Sequence, residues 1–273
     1  MKGRVLVLDE IAGRGAAALV VDGRLEELAL DPEGDMPLPG AIFRAVADRP
    51  VKGQGGIFVK LPQGSGFLRQ ISGVAPGQRL LVQVTGPAEP GKAVPVTTRL
   101  LFKSRFAIMT PDAPGLNISR RIKDEERRED LAALARDGMA GAAEGLGLIL
   151  RSGCLEAGDD AIAEDIAAMR GLAEAVLADL SGGPELLVDG PSAHDLAFRD
   201  WLDPVVDEAD TESGSFDRHG VREMLADLAR SRVALDAGAS MLIEPPRALV
   251  AVDVNPGPDT SPAASLKANV AAA

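Results

Sequence analysis

The 273-residue sequence has no tyrosine, one tryptophan, one cysteine and two histidines. A single thiol, Cys154, rules out an intrachain disulfide and a thiolate metal cluster. His194 and His219 are too few to build a histidine metal centre. No apolar run is long enough to span a membrane, and the one in Met1–Glu10 is too short for a signal peptide. A cytoplasmic protein without membrane contact is expected. Nucleotide-type glycine loops and internal repeats are absent from the sequence. Aromatic residues make up only 3%, yet five of the seven phenylalanines (Phe43, Phe58, Phe67, Phe102 and Phe106) fall between residues 41 and 110.

Charge is equally uneven. The whole chain carries −12, but ten Lys and Arg face two acids between Gly40 and Thr110. That segment is therefore +8, and the remainder −20. The ten are Arg44, Arg49, Lys52, Lys60, Arg69, Arg79, Lys92, Arg99, Lys103 and Arg105. Such asymmetry points to an anionic ligand for one module, or else to a merely solvated basic face.

Residues 3–9, 16–21 and 24–30 read as strands, with Asp22-Gly23 as a hairpin turn. Residues 31–40 read as a linker. From 41 to 109, short strands punctuated by glycine (56–60, 79–84 and 106–109 among them) predict a small barrel. In that barrel Phe43, Phe102 and Phe106 are expected to fill the interior, and Phe67, after Gly64-Ser65-Gly66, to be exposed. A basic barrel with exposed Phe suits single-stranded nucleic acid. Helices are expected at 124–136, 159–180, 194–202 and 221–231, and strands at 146–153 and 186–188. A closing hairpin joins 241–244 to the run Ala248–Asp253. That run of small and branched residues reads as a strand buried on both faces. Its terminal Asp253 either caps the turn at Pro256-Gly257 or takes a divalent metal. Cys154, close behind Arg151, is either activated by that cation or simply packed.

Several stretches, in order, resemble the catalytic region of the ribonuclease E/G family. They are Gly56-Ile57-Phe58-Val59 through Gly66-Phe67-Leu68, Gly77–Val84, Lys92 with Thr97-Thr98, Ile118-Ser119-Arg120-Arg121-Ile122, Gly147–Ser152, Phe198-Arg199-Asp200, Ile243-Glu244, Ala248–Gly257 and Asn269–Ala272. The resemblance implies an α+β fold, a ribonuclease-H-like domain with an inserted OB-fold β-barrel. Its expected segments are residues 1–35 (first part of the ribonuclease-H-like domain), 36–110 (barrel), 111–184 (5′-phosphate sensor), 185–230 (the rest of the ribonuclease-H-like domain) and 231–273 (truncated catalytic subdomain). It implies a magnesium-dependent endoribonuclease acting on single-stranded RNA in processing or decay. Phe58 and Phe67 take stacking positions, and Lys92, Lys103 and Arg105 are expected to contact RNA. Arg151 and Ser152, with Arg120 and Arg121, fall on the pocket for a 5′-monophosphate. Asp253 falls on a Mg2+-binding catalytic aspartate and Asn255 on its hydrogen-bonding neighbour.

The family's second catalytic aspartate and its zinc-linking cysteines have no match within these residues. Glu244 and Asp259 are the candidate substitutes for the acid, and no zinc-linked dimer is expected. Pro246-Arg247 stands where the family usually has Thr-Glu, and the stretch 202–238 is shorter than usual. The match to the family pattern ends in mid-helix, which predicts a fragment of a longer reading frame. The alternative is a short family member that binds RNA without cutting it.

Overall fold

The computed structural model describes residues 3–34, 36–51, 55–69, 73–89, 91–245 and 249–273. Lys52, Pro246-Arg247 and Ala248 lie outside the described residues. The chain forms two compact units, one ending at Ser215 and the other running from Phe216 to Ala273.

In the first unit, β1 (Arg4–Ile11), β2 (Arg14–Val21) and β3 (Arg24–Leu30) form an antiparallel meander. Asp22 (φ 49°) and Gly23 (φ 76°) both adopt the left-handed backbone of a two-residue hairpin turn. A short strand far along the chain, β14 (Glu208–Asp210), pairs parallel with β1. Helix α3 (Ala193–Asp200) starts from a Ser192/Asp195 capping box and packs on β2 and β3. Leu6, Leu8, Ala17, Leu19, Ala197 and Trp201 form the core between them. His194 Nε2 lies 3.0 Å from both the Asp9 and Ala16 carbonyl oxygens, so this histidine joins helix to sheet.

The barrel is built from β4 (Ile42–Val51), β5 (Gly56–Lys60), β6 (Ser65–Arg69), β7 (Arg79–Val84) and β8 (Val94–Thr97). Pairing runs β4-β5-β6-β8-β7 and closes through β7 to β4, with β6 and β8 parallel. This is a closed, OB-like barrel of five strands. Alternation fills its interior: Phe43, Ala45, Ala47, Ile57, Val59, Leu68, Val82 and Val96 point inward. β13 (Glu185–Val188) pairs with the outer edge of β4. Burial on both faces explains why 41–45 reads as a continuous apolar run broken only by Arg44.

A third layer follows the barrel. β9 (Phe102–Lys103), β10 (Ala107–Thr110), β11 (Leu116–Ile118) and β12 (Gly147–Leu150) form one sheet, in the order β11-β12-β10-β9. α1 (Glu125–Gly138) and α2 (Asp159–Ala178) cover it. Met109, Ile122, Leu131, Leu148, Leu150, Ile162 and Ile166 form this core. Two expectations are corrected here. The 106–109 strand belongs to this sheet, not to the barrel. Phe102 is buried in, and Phe106 packed against, this core, not the barrel interior. β10 pairs with β12, a partner too distant in sequence for local periodicity to reveal, and β9 joins the sheet through β10.

α4 (Ser215–Arg218) carries the chain into the second unit. There α5 (Val221–Leu228), β15 (Arg232–Ala234), β16 (Ser240–Glu244), β17 (Ala251–Asn255) and α6 (Pro262–Ala272) follow. β16 is central, and among the described residues β17 is an edge strand paired with it alone. The expected burial of β17 on both faces is therefore overturned: Val252 is 53% and Val250, just before the strand, 63% exposed. Ser261 caps α6 and Pro262 occupies its first turn.

Candidate nucleic-acid interface

On the barrel, β5 and β6 are antiparallel with Phe58 directly opposite Phe67. Ile57, Val59 and Leu68 point inward, so both rings stand on the outer face. Their centroids are 5.3 Å apart at 54°. Each is half-buried and neither is sealed inside. A side chain on Gly56 would place its Cβ 2.5 Å from Phe67 Cζ, so this glycine makes room for the ring. Two residues further along the same face stand Lys60, beside Phe58, and Arg69, beside Phe67. Sequence reading counted both as basic residues but did not assign them to the site. The period-two spacing from each Phe is the signal that places them there. Pro95 of β8 continues the row beside Phe67. The face of the second and third strands is where barrels of this type hold oligonucleotides.

Other basic residues of the segment are engaged elsewhere. Arg44 is buried, donates from Nε to the Gly183 carbonyl at 2.8 Å, and pairs with Asp179 and Glu185. Arg79 donates to the Gly182 carbonyl at 2.6 Å. These two arginines strap the 179–185 segment to the barrel. Lys92 is exposed in a loop and paired with Glu89.

A second constellation sits where β12 ends. It lines an open cavity of about 460 Å³ with Arg105, Phe106, Arg151, Ser152, Arg199 and the turn 153–158. Arg127 of α1 fixes that turn by donating to the Cys154 and Ala157 carbonyls and to Asp159 at 2.6–3.2 Å. Asp165 of α2 fixes the other wall, accepting from Phe106 N at 3.1 Å and from the Ser104 hydroxyl at 2.5 Å. The Arg105 guanidinium lies 5.3 Å from the Phe106 ring centroid. Arg121 reaches Asp203 at 3.3 Å and the Ser152 hydroxyl at 3.5 Å. Arg120 is exposed and does not line the cavity.

Behind this wall one carboxylate gathers three cations. Asp200 receives Lys103 at 2.9 Å, Arg199 at 2.9 Å and Arg151 at 2.7 Å. Burial alone would raise its pKa, but the hydrogen bonds from Arg199 and Lys103 outweigh burial and hold it at about 2. Burial depresses the Lys103 ammonium despite the pull of Asp200. Lys103 and Arg105 therefore belong with Arg151, not with the barrel rings. Cys154 is fully buried, its thiol 3.4 Å from the Phe106 carbonyl, and burial pushes it up to about 11. It is packed, not activated.

In the second unit, Asp253 projects from β17 opposite Leu242. The turn beyond is capped by Asn255, whose Oδ1 accepts from Gly257 N at 2.9 Å. The reading of Asp253 as the turn cap is thereby corrected. Gly257 (φ 82°) lies so close to Gly238 that a Cβ would come within 2.5 Å of its carbonyl oxygen. Of the candidate substitute acids, Glu244 ends β16 opposite Ala251. Asp259 accepts from Ser261 N at 2.9 Å. Among the described residues no group of three or more His, Cys, Asp or Glu is placed to hold a metal ion. Nor does any helix there have the length and apolarity to cross a membrane.

Residues 102–215 and 204–273 match the ribonuclease E/G family. The chain is 30% identical over 241 residues to ribonuclease E of Synechocystis sp., a match covering 76% of this chain and 35% of that protein. It is 27% identical to ribonuclease E of Nostoc sp. over 218 residues, covering 67% of this chain and 31% of the relative. To ribonuclease G of Escherichia coli it is 21% identical over 295 residues, covering 88% and 60%. The chain belongs to the ribonuclease E/G family. It spans about a third of the length of these ribonuclease E relatives.

Proposed function

We propose that this chain takes part in endoribonucleolytic cleavage of single-stranded RNA, holding the strand on the outer face of the barrel and a 5′-monophosphate in the Arg151 cavity. The observation that carries the reading is the Phe58–Phe67 pair, outward on the second and third barrel strands and flanked by Lys60 and Arg69. Bases stack on such rings, at about 1–3 kcal/mol each, and the flanking cations meet the backbone phosphates. In the cavity, Arg151 and Ser152 offer a planar donor edge and a hydroxyl to a terminal phosphate. RNA as ligand accords with a cytoplasmic location.

The donor set in the second unit fits magnesium at its minimum. Asp253 offers one hard carboxylate on an exposed strand, and Mg2+ binds through one or two carboxylates together with substrate phosphate and water. When bound there, the ion would neutralise charge at the phosphodiester and lower the pKa of an attacking water. Asn255 keeps the turn after Asp253 closed through its bond to Gly257 N. A second reading, RNA binding without cleavage, is favoured by the barrel face, whose paired rings and flanking cations need no metal to hold a strand.

One experiment separates the two. A labelled single-stranded RNA is incubated with the full chain, with and without Mg2+, alongside Asp253→Asn. Magnesium-dependent cleavage that vanishes in the variant supports the nuclease. Salt-sensitive binding without cleavage supports the second reading. Binding indifferent to salt refutes both.

A further inference from the structure

We infer that Asp200 is a positioning residue that sets the direction of the Arg151 guanidinium and so makes the cavity selective for a phosphate monoester dianion. The inference rests on the proposed reading of the Arg151 cavity as a 5′-phosphate site.

Arginine carries five N–H donors. Arg151 Nη1 donates to two carbonyls, those of Ser104 and, at 3.1 Å, Arg199. Nη2 donates to Asp200 Oδ1 at 2.7 Å. Among the described residues no other acceptor takes the Nε hydrogen or the second Nη2 hydrogen. Two donors therefore remain, which is what one bidentate phosphate contact requires. Three fixed acceptors in different directions hold the guanidinium plane still. Asp200 is the only side chain of the three, and the only one bearing charge.

A carboxylate beside an anion site would ordinarily repel the ligand. Here its charge is more than covered. Asp200 binds Lys103, Arg151 and Arg199 together, so the four side chains carry a net +2. A phosphate monoester carries about −1.5 to −2 at pH 7. Without the carboxylate, three cations would face one another unscreened, and Arg151 would lose its one charged anchor.

The test compares two single-stranded RNAs identical except for a 5′-phosphate or a 5′-hydroxyl, bound to the full chain and followed by fluorescence anisotropy from pH 5 to pH 8. The wild-type chain is expected to prefer the phosphorylated strand, increasingly as pH rises through about 6, where the second phosphate proton leaves. Asp200→Asn is expected to lose this preference, and its pH dependence, while binding the 5′-hydroxyl strand at least as tightly, because it has gained one positive charge. Preference retained in Asp200→Asn overturns the inference and leaves the cavity reading standing. No preference in the wild-type chain overturns both. If Asp200→Asn fails to fold, Lys103→Met carries the test, since it leaves Arg151 anchored. A weakened but persisting preference supports orientation by Asp200. A preference abolished in Lys103→Met shows that summed charge acts instead, and overturns the inference.

Discussion

Replacing Phe67 with alanine separates binding from folding at the barrel face. The ring lies on the outside, half-buried, with Phe58 5.3 Å away and the Gly56 backbone beneath it. Its removal forfeits one tilted aromatic pair, about 0.5–1.5 kcal/mol, and little else of the core. A stacked base lost at the same position costs about 1–3 kcal/mol of RNA affinity. That corresponds to a dissociation constant roughly 5- to 150-fold weaker. Phe43 supplies the control, because it faces the barrel interior and is only 6% exposed. Truncating a buried Phe to Ala costs about 3–5 kcal/mol of stability.

The assay is anisotropy with a labelled single-stranded oligoribonucleotide at two salt concentrations, paired with thermal melting of the same samples. Phe67→Ala is expected to melt within a few degrees of wild type while binding falls strongly. Phe58→Ala is expected to behave alike, and the double variant to lose less than the sum, since both rings contribute to one surface. Unchanged affinity in Phe67→Ala at either salt concentration refutes the stacking argument. So does a loss of affinity that merely tracks a loss of folded protein.

Two further outcomes follow from side chains already placed. Arg44→Met removes the strap to Gly183, Asp179 and Glu185, and about 1–3 kcal/mol of stability is expected to go with it. The two acids are exposed enough to regain water, so the loss stays below that of a fully buried broken pair, and denaturant unfolding measures it. Asp200, held at about 2 against an ordinary value of 3.8, stabilises the fold above its ordinary value. That contribution, on the order of 2 kcal/mol, is lost as pH falls from about 4 through 2, and Asp200→Asn is expected to flatten the acid limb of the stability curve there.

The barrel was legible because its code is local. Ile57, Val59 and Leu68 alternate with Phe58 and Phe67, so a period of two assigns inside and outside without any partner in view. The opening hairpin was legible for the same reason, since Asp22-Gly23 states its turn directly. The 124–136 and 159–180 helices were legible from their patterns, and α1 and α2 occupy nearly those residues. Three-residue strands such as β11, β14 and β15 have no period to read, and their existence is decided by partners far along the chain.

The site was legible only where an element's own pattern placed it. Lys103 and Arg105 look like further cations of a basic barrel, because composition sums charge without regard to who pairs with whom. Lys103 is in fact 97 residues from its partner Asp200. Nothing in the local sequence of either residue announces the other. The Asp253 strand shows the converse error. Ala-Val-Asp-Val has the composition of a doubly covered strand, yet among the described residues β17 is paired on one side only, and Val252 stays half in solvent. An apolar strand left exposed at a sheet edge is a surface suited to further pairing. Composition can thus report that a strand is fit to be buried, while the folded chain decides whether anything lies across it. The same distinction separates Arg44, a cation buried in its strap, from Lys60 and Arg69, which stand at the barrel surface beside the two rings, Lys60 within 3.8 Å of the exposed Asp48.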